Sequence, residues 1–156
     1  RGTTSQHGSF TGAVGEITVD TDKDTVVVHD GSQAGGFAIP NLKTAQEFTK
    51  TQNFNATSLS DGSTISWDAS SNQVAKVTLG GNRALAAATN QVDGAVYVLS
   101  VTQDGSGSRT LSFNSNYKFT GGTAPTLTTT ASATDILVFL SNGTNMQEIG
   151  RSLNVS

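Results

Sequence analysis

Glu16-Ile17-Thr18-Val19-Asp20-Thr21-Asp22-Lys23-Asp24-Thr25-Val26-Val27-Val28-His29 is the stretch that decides the fold class. Its first five residues alternate polar and apolar, the period-two pattern of a strand with one face covered. Three consecutive valines flanked by Thr25 and His29 form a second β-branched run. Between the runs, residues 20–24 hold only Asp, Thr and Lys, which suits a turn, so the stretch predicts a β-hairpin. Asp30-Gly31-Ser32 ends the second strand, Ala34-Gly35-Gly36-Phe37 reads as loop, and Pro40 marks a boundary.

The same grammar recurs downstream. Thr64-Ile65-Ser66-Trp67-Asp68 alternates, and Gln73 to Leu79 follows a turn containing Asn72. Ala95-Val96-Tyr97-Val98-Leu99-Ser100-Val101 is a nearly continuous apolar run, as expected of a central strand. Asp104-Gly105-Ser106-Gly107 turns into Arg109-Thr110-Leu111-Ser112-Phe113, and Asp135 to Ser141 is joined to Asn145 to Ile149 by Asn142-Gly143, the strongest hairpin signal in the chain. Residues 61–156 therefore read as roughly seven short strands of an all-β, jelly-roll-like β-sandwich without a clean internal repeat. Residues 41–60 read as a linker, in which Asn41 caps a short helix carrying Leu42, Ala45 and Phe48. The predicted organisation is a unit over 1–40, a linker over 41–60 and a sandwich over 61–156.

Composition agrees. Ser and Thr make up roughly a quarter of the 156 residues, with 17 Gly and only 13% charged residues. Thr and Val favour pleated strands, and Gly, Asn and Ser favour the turns between them. A net charge of −3 with no basic patch argues against a nucleic-acid partner. The apolar runs, such as residues 136–140, are too short to span a bilayer. There is no cysteine, hence no disulfide staple or thiolate metal site. Modest hydrophobic content (35%) makes a thin core, which self-association would thicken.

No constellation for catalysis emerges. Asp20, Asp22 and Asp24 have the opening spacing of a calcium loop, but Thr25 stands where that motif needs Gly and Gly31 where it needs Glu. His7 and His29 lie far from any metal-ligand partner in sequence, and His29 at a strand end suits a hydrogen-bonded structural role. Gly105-Ser106-Gly107-Ser108 lacks the spacing of a nucleophile elbow, and no phosphate-binding loop is present. The 12 acids fall mostly in turns. Asn55, Asn142 and Asn154 match the glycosylation sequon, as chance allows in an Asn- and Thr-rich chain. Trp67, Tyr97, Tyr117 and Phe119 read as core rather than as a sugar-stacking platform. No catalytic residue, metal site or cofactor is expected.

Residues 1–31, Arg-Gly-Thr-Thr-Ser-Gln-His-Gly-Ser-Phe through Val-Val-Val-His-Asp-Gly, closely resemble the N-terminal segment of the phage major tropism determinant, and the likeness continues through Gly35-Gly36-Phe37-Ala38-Ile39-Pro40. The resemblance implies a small β-prism-like unit in which three chains intertwine about a threefold axis and anchor a virion protein. On that reading Ile17, Val19, Val26, Val28 and His29 meet neighbouring copies, with Val26 and Val28 on one face of their strand and Val27 on the other. Gln103 to Leu111, Tyr117-Lys118-Phe119 with Gly121 to Leu127, and Asp135-Ile136-Leu137 with Asn142 to Asn145 resemble a module that ends many tail-fibre and virion-surface proteins.

Together these readings imply a non-enzymatic, homotrimeric virion structural protein. Length orders two roles. A chain this short has room for an anchor and one sandwich but no separate tip. A capsid cement or decoration protein contacting the major capsid protein therefore stands first. The alternative is a tail-fibre or tailspike protein, or a fragment of one, that contacts other virion proteins and binds a host surface glycan or protein.

Overall fold

The alternation over residues 16–29 becomes a hairpin. Strands β1 (Ile17–Asp20) and β2 (Thr25–Val28) run antiparallel, with Ile17 opposite Val28 and Val19 opposite Val26. The polar turn holds itself: Oδ1 of Asp20 accepts the Asp22 and Lys23 N–H groups at 3.0 and 3.3 Å, and Oδ2 accepts the Thr4 hydroxyl at 2.7 Å. The carboxylate is thus spent on the backbone and on Thr4.

A third strand, β3 (Phe37–Ala38), extends the sheet antiparallel to β2, pairing Phe37 with Val28. The sequence reading places Phe37 in a loop. A two-residue strand after paired glycines is too short to show a period. The one-turn helix α1 (Thr4–Gly8) is fixed by a capping box: the Gln6 N–H donates to Thr3 Oγ1 at 3.3 Å, and the Thr3 N–H donates to Gln6 Oε1 at 2.8 Å.

The computed structural model describes residues 1–40 and 50–155, in two compact units, Arg1–Gln52 and Asn53–Ser156. The short helix expected over Asn41, Leu42, Ala45 and Phe48 lies outside the described residues. Among the described residues no helix is long and apolar enough to cross a membrane.

The second unit begins earlier than the sequence suggests. Residues Thr57–Ser58, assigned above to the linker, form β4 and pair with β6 (Val74–Leu79). The other strands are β5 (Thr64–Ile65), β7 (Arg83–Leu85), β8 (Val96–Gln103), β9 (Leu111–Phe113), β10 (Tyr117–Lys118), β11 (Thr134–Ser141) and β12 (Met146–Ser152). They make two sheets, one in the order β10-β12-β11-β8-β6-β4 and one in the order β5-β7-β9.

From β4 to β9 successive strands alternate between the two sheets. Within each sheet they stack in parallel: β4 on β6 and β6 on β8, β5 on β7 and β7 on β9. The chain winds as a short coil, in the manner of a β-helix, before β11 and β12 close the larger sheet as an antiparallel hairpin. This corrects the jelly-roll expectation. A jelly roll is built from antiparallel Greek keys, whereas five of the seven strand pairings in this unit are parallel.

The core lies between the sheets. Ala75, Val77 and Leu79 of β6, Tyr97, Leu99 and Val101 of β8, and Leu137 and Phe139 of β11 alternate inward to meet Ile65, Leu85, Leu111 and Trp67. Leu99 sits directly opposite Leu137, and both are fully buried. Truncating either to Ala costs about 2–5 kcal/mol. Gln103 ends β8 inside this core, and its amide is fully used. Nε2 donates to the carbonyls of Arg109 and Thr128 at 3.0 and 2.8 Å, and Oε1 accepts the Arg109 N–H at 2.9 Å.

Candidate interaction surfaces

The three-stranded sheet of the N-terminal unit has two unlike faces. Thr18, Val27 and Ala38 share one, because Thr18 pairs with Val27 and Val27 with Ala38. Its centre is covered: Val27 is 2% exposed and Thr18 half-buried, while Ala38 at the edge strand is exposed. The other carries Ile17, Val19, Val26, Val28 and Phe37. Ile17, Phe37, Val19 and Val26 are 66%, 54%, 43% and 37% exposed, a contiguous apolar surface that this unit leaves open to solvent.

Four of the five residues expected at a subunit contact lie on that open face. His29 does not. It follows Val28 on the strand and is buried on the covered side, 2% exposed. A Cβ on Gly12 would lie 2.6 Å from His29 Cγ, and one on Gly36 would lie 2.7 Å from His29 Nδ1, so two glycines leave room for the ring. Phe10 packs edge-on against it at 5.1 Å.

His29 also ends a hydrogen-bond chain. The Thr3 carbonyl only accepts, so His7 Nδ1 donates to it at 2.9 Å, and in a neutral ring that leaves Nε2 as an acceptor. The Thr18 hydroxyl then donates to His7 Nε2 at 2.8 Å and accepts from His29 Nε2 at 2.9 Å. Nδ1 of His29 accepts the Gly12 N–H at 3.4 Å. One hydroxyl thus ties two buried imidazoles together. Both histidines are engaged in hydrogen bonds within the unit, and among the described residues no group of three His, Asp or Glu is placed to hold a metal ion.

In the second unit the four aromatic residues singled out from the sequence fall inside. Trp67, Tyr97 and Tyr117 are 4% exposed or less, and Phe119 packs against the same core. Among the described residues, Trp67 Nε1 and the Tyr117 hydroxyl are buried without a hydrogen-bond partner. Burial pushes the Tyr117 phenol above its ordinary pKa.

The family described as "Putative phage tail fibre C-terminal domain" matches residues 41–146, more than half of the chain. The chain belongs to this tail-fibre family. The family described as "Major tropism determinant N-terminal domain" matches residues 1–33 of the same tail-fibre chain, where the sequence resemblance was drawn.

A "Tail fiber receptor-binding protein" of Bordetella phage BPP-1 is 53% identical over 66 residues, covering 35% of this tail-fibre chain and 17% of that relative. Two solved structures are also similar. The "Major Tropism Determinant I1 Variant" is 70% identical over 26% of this chain and 11% of its own, with a TM-score of 0.26. The "Major Tropism Determinant M1 Variant" is 26% identical over 94% of this chain and 41% of its own, with a TM-score of 0.28. The tail-fibre chain therefore spans less than half the length of these relatives.

Membership makes it a virion-associated phage protein. It also reverses the order of the two roles. The relatives are fibre and receptor-binding proteins, which favours the tail over the capsid cement reading. Length misled, because a short sequence says nothing of how long a fibre it serves.

Proposed function

We propose that the chain is a non-enzymatic, homotrimeric module of a phage tail fibre, fastened to the tail through its N-terminal unit and carrying a host-binding unit over residues 53–156. The match of residues 41–146 to a tail-fibre family carries this reading. The open face of Ile17, Val19, Val26, Val28 and Phe37 supports self-association, since a unit of this size does not leave such a surface wet without a partner. Phe37, on the open face, joins this contact in place of the buried His29.

Val26→Asp tests the assembly. A carboxylate at the centre of a subunit contact is buried unpaired, so the trimer is lost while each protomer, in which Val26 is already 37% exposed, stays folded. Native mass measurement reads the outcome, and an unchanged trimer yield refutes the placement. Gold-labelled antibody on the virion tests location. Label confined to the head sinks the tail reading.

A further inference from the structure

One groove of the second unit has the chemistry of a sugar site. It measures about 680 Å³, within the range of small-molecule sites, and is lined by the turn residues of successive coils, among them Phe54, Asn55, Ser71, Gln73, Asn90 and Val92. None of its lining residues is charged. We infer that this groove binds a neutral oligosaccharide, with Phe54 as the stacking face and the amides of Asn55, Gln73 and Asn90 as the hydroxyl-reading groups. The inference takes its biological setting, but not its chemistry, from the tail-fibre reading.

The amides are each held by one end and open at the other. Gln73 donates Nε2 to the Val96 carbonyl at 2.9 Å, which leaves Oε1 as an acceptor. Asn90 donates Nδ2 to Asp68 Oδ1 at 3.0 Å, which leaves its carbonyl. Asn55 accepts from Asn53 at 3.4 Å, which leaves its NH₂ as a donor. Vicinal sugar hydroxyls donate and accept side by side, so paired acceptors and donors on fixed amides suit them.

Asp68 is the positioning residue. Its Oδ1 accepts Asn90 Nδ2, the Ser70 N–H at 3.0 Å and the Ser70 hydroxyl at 2.7 Å, fixing two lining residues at once. The hydrogen bonds from Asn90 and Ser70 hold its carboxyl below the usual carboxylate range, so it stays ionised. A fixed anion beside an uncharged lining disfavours acidic sugars. Phe54 is 59% exposed, a ring with no core role that offers an apolar face to the C–H side of a pyranose. A peptide would ask for an unpaired strand edge or an apolar slot, and the lining supplies turns instead.

The test is a nitrogen–proton NMR titration of the whole chain with cellobiose, lactose and diacetylchitobiose, with sialyllactose as the acidic comparison. At least one neutral disaccharide shifts the amides of Phe54, Ser71, Gln73 and Asn90, and sialyllactose binds no tighter than lactose. Phe54→Ala and Gln73→Ala each weaken that binding roughly three- to tenfold, with spectra otherwise unchanged. The inference is overturned by no shift from any neutral sugar, by shifts confined to other surfaces, by wild-type affinity in both variants, or by tighter binding of sialyllactose. Tail labelling without sugar binding overturns the groove and leaves the tail-fibre reading standing. Sugar binding with label on the head does the reverse.

Discussion

At the scale of single residues, the most consequential side chain is one that looks ordinary. Thr18 is one of many threonines, yet its hydroxyl joins His7 to His29 and so ties α1 to the sheet. Thr18→Val keeps the shape and removes the link, leaving a bare nitrogen on His7 and an N–H on His29 without partners. The expected loss is about 2–3 kcal/mol, read by thermal or denaturant unfolding of the N-terminal unit. The wiring also fixes tautomers: His7 carries its proton on Nδ1 and His29 on Nε2. Nitrogen NMR of the imidazoles checks this, and the opposite tautomer at either ring contradicts the wiring. The sequence announces both histidines but not the relay, because nothing in the spacing of 7, 18 and 29 places three side chains on one covered face.

At the scale of elements, strands with local partners were legible and strands with distant partners were not. The alternation of 16–20 and the valine run of 25–29 name both halves of a hairpin joined by a short turn. Asn142-Gly143 does the same for β11 and β12, where Asn142 Oδ1 accepts the N–H groups of Thr144 and Asn145 at 3.1 and 2.7 Å. The parallel stacking of β4, β6 and β8 leaves no such mark. Thr57 pairs with Ala75 and Ala75 with Leu99, steps of 18 and 24 residues, so no fixed period survives in the sequence. The groove residues were hidden for a related reason: Asn, Ser and Gln in turns look alike whether or not they face a ligand.

The connection from β8 to β9 carries its own prediction. Gly107 has φ 68°, and a Cβ there would lie 2.5 Å from the Thr129 carbonyl oxygen and 2.7 Å from the Ala131 nitrogen. Neither contact can yield without moving backbone. Gly107→Ala is expected to cost about 2–3 kcal/mol, more than an exposed glycine turn would suggest, and calorimetry of the variant reads it directly.

At the scale of the whole molecule, charge is sparse, and among the described residues three arginines are paired with carboxylates. Arg83 donates to both oxygens of Asp61 at 2.8 and 2.9 Å, and Arg109 does the same to one oxygen of Asp104 through two nitrogens, at 3.1 and 2.8 Å. Arg83 holds the Asp61 carboxyl below its ordinary pKa, and Arg109 does so for Asp104. Folded carboxyls with lowered pKa bind protons less readily than unfolded ones. Their contribution is therefore intact above about pH 4 and lost as pH falls through the lower folded values. The melting temperature should hold steady near neutrality and drop in acid. Asp61→Asn should flatten part of that acid limb, and an unchanged acid profile in the variant would remove Asp61 from the account.

The uneven steps of the wound chain bear on how such a protein diversifies. Each strand of the coil pairs only with the strands beside it in its own sheet, and the connections between stacked positions already differ in length by several residues without disturbing the pairing of the strands they join. Insertions or deletions in those connections leave the buried ladder in register. The exposed bends can therefore change in length and composition while the same scaffold is kept.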